Sequence, residues 1–187
     1  ERGAASAAAN WLHTNAISVG AHGNYIVSMR NMNQVLSIAP DWSRVEWRLG
    51  GAGATLALAP EDVFSGQHGA REIAPGRLVL FDNGFERPSG ESRAVEFQID
   101  TIAGTATRVW DYSPVPPNFA FRLGSVFRFT NGNTLIDFGW LGSSPIEVVE
   151  VSSTGQLIWK LTPVTDVITK IYHAIPRTTL WGETEVL

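Results

Sequence analysis

The sequence predicts an all-β chain, a β-propeller of four-stranded antiparallel blades, of which about three and part of a fourth are present. Three observations carry this. The 187 residues include 18 Gly and 10 Pro but only 2 Met, and 17% are charged, a balance that favours short strands and turns over long amphipathic helices. From Trp11 onward, runs of β-branched and aromatic residues alternate with Gly, Asn, Asp and Pro turns. These runs group in fours, and each fourth run carries a tryptophan near its middle or end.

The first group is predicted over Thr14–Val19, Asn24–Met29, Gln34–Ile38 and Arg44–Leu49, with turns at His22-Gly23, Asn31–Asn33 and Pro40-Asp41. The second reads Gly69–Ile73, Arg77–Phe81, Arg93–Ile99 and Thr107–Tyr112, with a tight turn at Pro75-Gly76 and an insertion from Asp82 to Glu91. The third reads Ser125–Phe129, Thr134–Phe138, Ile146–Val151 and Gln156–Leu161; Asn131-Gly132-Asn133 between its first two strands is a strong hairpin signal. The fourth strands superpose as Val45-Glu46-Trp47, Arg108-Val109-Trp110 and Leu157-Ile158-Trp159, and the three tryptophans read as packing between blades. A further inner strand is expected at Lys170–Ile175. Residues 1–10 read as a tail or ragged edge, and 11–187 as the C-terminal part of a propeller domain. Three blades and a fraction cannot close a ring, so the remaining blades are expected upstream, on another chain, or on a second copy in a homo-oligomer.

Composition narrows the function classes. The formal net charge is −4 and no Lys or Arg run occurs, which argues against nucleic acid as a partner. With no cysteine there is neither a disulfide nor thiolate chemistry. No apolar stretch reaches the roughly 18 residues needed to span a bilayer.

Histidine is scarce, so its placement is informative. His13 and His68 open the innermost strands of the first and second blades, and His173 falls in the expected fourth. Innermost strands line a propeller's axis, so the three converge on one site, whereas His22, before Gly23, reads as a turn residue. Around them lie His13-Thr14-Asn15, Ser28-Met29-Arg30-Asn31, Gln67-His68-Gly69-Ala70-Arg71 and Phe81-Asp82-Asn83-Gly84. A nucleophile, guanidinium groups and amide donors near one axis suit transfer of an anionic group, whose oxygens need cations and whose leaving group needs an acid. The plainer readings are that Arg30 and Arg71 pair with carboxylates between blades, and that Asp82-Asn83-Gly84 is a turn. A metal on three histidines lacks a nearby carboxylate second shell, and none is assigned.

These four motifs, followed by Ser92-Arg93-Ala94-Val95, resemble in order and spacing those of the arylsulfotransferase family, from about Trp11 to the C-terminus. The resemblance implies a six-bladed propeller that moves a sulfuryl group from a phenolic sulfate ester to a phenolic acceptor through a sulfated histidine, with no cofactor. It implies His68 as nucleophile, His13 and Asn15 as ligands of the sulfuryl oxygens or proton donors to the leaving phenol, and Arg30 as the cation that neutralises the sulfate. Arg71 and His173 join Asn15 as expected substrate-binding residues. It also implies a periplasmic or extracellular location. The chain departs from the family in lacking a histidine from an earlier blade, a cysteine pair, and a threonine after the second strand of the third blade, where Asp137-Phe138-Gly139-Trp140-Leu141 stands. The competing expectation is a propeller without catalysis that binds an anionic aryl or sugar ligand, or serves as an interaction platform.

Overall fold

A computed structural model describes residues 10–142, 146–163 and 170–176. Its first four strands are β1 (Thr14–Val19), β2 (Tyr25–Met29), β3 (Gln34–Ile38) and β4 (Val45–Leu49). The next four are β5 (His68–Ala74), β6 (Arg77–Asp82), β7 (Arg93–Asp100) and β8 (Thr105–Tyr112), and the last are β9 (Ser125–Arg128), β10 (Thr134–Asp137), β11 (Val148–Val151) and β12 (Leu157–Leu161). Each set forms one antiparallel sheet in sequential order. The first strands are neighbours, β1 beside β5 and β5 beside β9, so the sheets stack as consecutive blades without closing a ring.

The middle blade shows why its second strand reads as a nearly continuous apolar run. In β6, Leu78 and Leu80 point into a cluster shared with the first blade, with Ile26, Val35, Leu49, Phe64 and Phe97. Val79 and Phe81 point the other way, into a cluster with Val126, Ile136, Phe138 and Val149 of the third blade. The period-2 alternation survives, but both faces are buried, so polarity no longer marks it.

The tryptophan repeat has a structural basis. Trp47, Trp110 and Trp159 stand opposite Ser37, Glu96 and Glu150, each pair sitting beside a register shift between the third and fourth strands. A bulge at the same point of every blade sharpens the twist of the outer strand. The expectation of packing between blades holds for buried Trp47 and for Trp110, which packs against the second cluster under the Arg128 guanidinium, 4.4 Å from its ring. Trp159 differs: it is 42% exposed, and its Nε1 donates to Glu150 Oε2 at 2.6 Å, because no apolar cluster lies against the outer face of β12 among the described residues.

The strand expected at Lys170–Ile175 is not formed. The backbone there finds single partners in place of a ladder: Ile171 N–H donates to Gly139 O at 3.1 Å and Ala174 N–H to Ser125 Oγ at 3.1 Å, while the Tyr172 hydroxyl donates to Asn15 O at 3.2 Å. The segment thus straps the third blade to the first across the axis. Except for Asn10, the tail expected over 1–10 lies outside the described residues.

Candidate functional site: a neutral histidine near arginine side chains

His68 is the first residue of β5 and is only 3% exposed. Its Nδ1 lies 2.8 Å from Asn83 Oδ1, and the Asn83 amide is oriented by its other end, because Nδ2 donates to the carbonyls of Ala120 and Leu123 at 2.9 and 3.1 Å. Since the oxygen of Asn83 faces the ring, Nδ1 must carry the proton and the lone pair sits on Nε2. Nε2 accepts a 3.2 Å bond from the Leu123 N–H. Burial pushes the His68 pKa down to about 4 against the pull of the Asn83 hydrogen bond, with the Arg30 charge adding to the drop, so the imidazole is neutral near pH 7.

The support behind Asn83 is built from the remaining motifs. Ser92 Oγ donates to Asn83 O and accepts from Ala120 N–H, both at 2.8 Å. Buried Asp82 holds Arg87 at 2.5 Å and Arg93 at 3.1 Å and accepts the N–H groups of Ser65 and Gly84. Asp82-Asn83-Gly84 is therefore more than a turn: it ends β6 so that one side chain anchors two arginines and the next fixes a tautomer. Gly124, at φ +106°, lets the loop close over this network, since a Cβ there would enter the Phe81 ring.

His13 precedes β1 in a left-handed conformation (φ +46°), and its carbonyl accepts the Arg30 N–H at 3.1 Å, tying the two residues together. Its Nδ1 is 2.9 Å from Asn10 Nδ2. Burial, then Arg30 and Arg122, lower its pKa. The Arg30 guanidinium bonds Asn31 Oδ1 at 2.9 Å and lies 5.0 Å from the Phe85 ring centre, while its Nε is buried without a partner. Burial and Arg122 lower its pKa as well.

A groove of about 450 Å³ beside the imidazole is lined by Asn15, His68, Arg71, Phe127, Tyr172 and His173, so four of the six expected site residues share it. Asn15 is less free than expected. Its Nδ2 donates to Gln67 O at 2.7 Å, clamping β1 to the residue before the histidine, and its buried Oδ1 has no partner. Arg71 meets no carboxylate among the described residues; it lies over Phe127 at 5.1 Å. His173 lies on the strap outside any strand, with its pKa lowered by burial and then by Arg71. A larger cavity of about 580 Å³, at the seam between the first two blades, includes Asn33, Phe64 and Glu86 and none of the histidines.

Sequence reasoning quoted the Asn83 motif without assigning Asn83 a role, and missed Arg122 and the Leu123 N–H. Asx-Gly is ordinarily a turn signal, and nothing local in Phe121-Arg122-Leu123-Gly124 marks a loop that folds onto His68. Among the described residues no group of three or more His, Asp or Glu side chains is arranged to hold a metal ion.

A neutral imidazole with a fixed tautomer thus lies beside guanidinium groups that meet no carboxylate among the described residues, on the inner strands of stacked four-stranded propeller blades. The arylsulfotransferase (ASST) family model matches residues 1–171, and the chain belongs to that family. It is 27% identical over 184 aligned residues to the arylsulfate sulfotransferase AssT of Escherichia coli O6:H1, a match covering 79% of this chain and 30% of that protein. The chain thus spans less than a third of this curated relative. A crystal structure of a Bacteroides caccae protein of unknown function superposes with a TM-score of 0.53 at 17% identity, over 79% of this chain and 48% of that one, a likeness of fold alone.

Proposed function

We propose that the chain carries the histidine-bearing part of a sulfuryl-transfer site, in which His68 Nε2 takes a sulfuryl group from a phenolic sulfate ester and passes it to a phenolic acceptor. The carrying observation is the state of His68: neutral, held by Asn83 with its proton on Nδ1, and so with its nucleophilic lone pair on Nε2.

In the first step Nε2 forms the N–S bond as the S–O bond to the aryl group breaks, and the phenolate departs with the electron pair. The ring now carries positive charge, which Asn83 Oδ1 steadies through the Nδ1 proton it already accepts. Arg30, its Nε unpaired, faces the sulfuryl oxygens. In the second step an acceptor phenol attacks sulfur, the N–S bond breaks, and the phenol's proton passes to His13. The lowered pKa of His13 keeps it neutral and ready for that proton, which then passes on to the phenolate released in the first step. Arg71 and His173 border the apolar groove in which an aryl ring fits beside His68. Asn15 holds the clamp between β1 and β5. Further blades, from upstream sequence, another chain or a second copy, complete the axis. A periplasmic or extracellular site of action rests on the family resemblance.

The 3.2 Å Leu123 N–H bond to Nε2 favours a second reading, in which the site binds an anionic aryl or sugar ligand without turnover. The two are separated by mass spectrometry of wild-type and His68→Ala protein after incubation with 4-nitrophenyl sulfate. A sulfuryl adduct on the His68 peptide, absent from the variant together with phenol release, is expected. An intact fold with neither adduct nor release leaves the binding role.

A further inference from the structure

The arginines of this protein divide by location. Among the described residues Arg44, Arg77, Arg87, Arg93, Arg108 and Arg128 each form an ion pair with a carboxylate. Arg30, Arg71 and Arg122, all near His68, do not, and the remaining case is Arg48 on β4. Arg30 and Arg71 stand in motifs; Arg122 does not.

Two observations tie Arg122 to the reacting side chain. Its own segment holds the site: the N–H of the next residue, Leu123, touches His68 Nε2, and the carbonyls of Ala120 and Leu123 orient Asn83. The segment is itself pinned, since Arg122 O accepts Trp140 N–H at 3.1 Å and Phe121 N–H donates to Trp140 O at 2.8 Å. Gly139 (φ +60°) makes this close approach feasible, because a Cβ there would sit 2.6 Å from Arg122 O. Its charge also depresses the pKa of both His13 and Arg30, which places the guanidinium within electrostatic reach of the two.

Between the two cations runs an apolar floor. Arg30 covers Phe85; Phe85 meets Phe119 edge-on at 5.3 Å, Phe119 meets Phe121 at 5.0 Å, and Phe121 leans on Trp140 at 5.7 Å. Arg122 lies 5.6 Å over Trp140. Stacking on a half-buried ring stabilises a cation by only about 1 kcal/mol, so fold stability gives little reason to keep this one without a carboxylate.

We propose that Arg122 is a second guanidinium for the substrate's sulfate, facing Arg30 from the far end of the Phe85–Phe119–Phe121–Trp140 arc, and that the pair selects anionic aryl esters over neutral ones. This rests on the sulfuryl-transfer reading above. The sulfate at His68 Nε2 lies between two cations that otherwise repel each other, and its aryl ring enters the groove bordered by Arg71 and His173.

The test uses the full chain as wild type, Arg122→Gln, Arg122→Lys and Arg48→Gln, at fixed ionic strength. Binding of inorganic sulfate is followed by titration calorimetry, and His68 adduct formation from 4-nitrophenyl sulfate by mass spectrometry. Loss of one charge-assisted contact weakens sulfate binding about tenfold in Arg122→Gln; Arg122→Lys recovers part of it, Arg48→Gln binds as wild type does, and the melting temperature of Arg122→Gln is unchanged. Wild-type affinity in Arg122→Gln, or an equal loss in Arg48→Gln, overturns the proposal. If wild type forms the adduct while Arg122→Gln binds sulfate undiminished, only the role of Arg122 fails. If wild type neither binds sulfate nor forms the adduct, the sulfuryl-transfer reading fails and the role of Arg122 falls with it.

Discussion

The Nδ1 of His68 lies 2.8 Å from the Oδ1 of Asn83, and the Asn83 amide is locked in that sense by the carbonyls of Ala120 and Leu123. Replacing Asn83 by Leu removes the acceptor that fixes the tautomer and takes the donor from the buried Ala120 carbonyl and the part-buried Leu123 carbonyl. The expected cost in stability is about 1–3 kcal/mol, read by urea denaturation. Adduct formation at His68 should fall far more steeply than stability, and nitrogen NMR of the ring should show a mixture of tautomers in place of one.

Two buried groups titrate in opposite senses. His68, lowered to about 4, binds fewer protons folded than unfolded between that value and 6.5, so its contribution is complete above pH 6.5 and is lost as pH falls toward 4. Asp137 is raised to about 7 by burial against the pull of the Gly139 N–H, and its other oxygen has no partner. It binds more protons folded than unfolded between 3.8 and 7, so its contribution is complete below 3.8 and is lost as pH rises through 7. Each effect is on the order of 3 kcal/mol, and from pH 4 to 6.5 the two oppose each other. Relative to wild type, stability should rise more steeply with pH across that window in Asp137→Asn and less steeply in His68→Gln. Parallel curves for all three proteins would overturn the assignment of both groups.

Gln67, fully buried before His68, joins two blades through Nε2, which donates to Ser28 Oγ, Met29 O and Gln34 O at 3.0–3.2 Å. Gln67→Leu keeps the volume and strands those acceptors. A loss of about 2–3 kcal/mol is expected, with hydrogen exchange rising together in β1, β2 and β5.

The outer strand of the third blade presents Leu157, Ile158, Trp159 and Leu161, all substantially exposed, along an edge that pairs with no other strand among the described residues. Such a face favours association. Sedimentation velocity should show concentration-dependent assembly of this chain, reduced by the double substitution Leu157→Lys, Ile158→Lys with the blade cores unchanged.

Much of the strand plan was legible because turn chemistry is local: Gly76 and the Asn131-Gly132-Asn133 run fix hairpins within a few residues, and every strand of the three blades lies within two residues of its expected start. Trp159 and Lys170–Ile175 were misread because both readings assumed a neighbour. A tryptophan packs between blades only where an apolar face meets it, and a strand needs another strand's backbone.

The sequence by itself determined the blades, their order and the family, because alternation, turns and ordered motifs are written within short stretches of chain. It led to the expectation that His13, His68 and His173 converge on one axis. Only the tertiary structure decided the chemical state of the site. That His68 is neutral with its lone pair on Nε2 follows from burial and from an Asn83 amide turned by two carbonyls some 40 residues downstream. That Asp82 is paired whereas Asp137 is not follows from strand register, which sets Arg93 opposite one and Val148 opposite the other. Charge state and tautomer depend on what surrounds a group in three dimensions, and a one-dimensional pattern does not encode those surroundings locally.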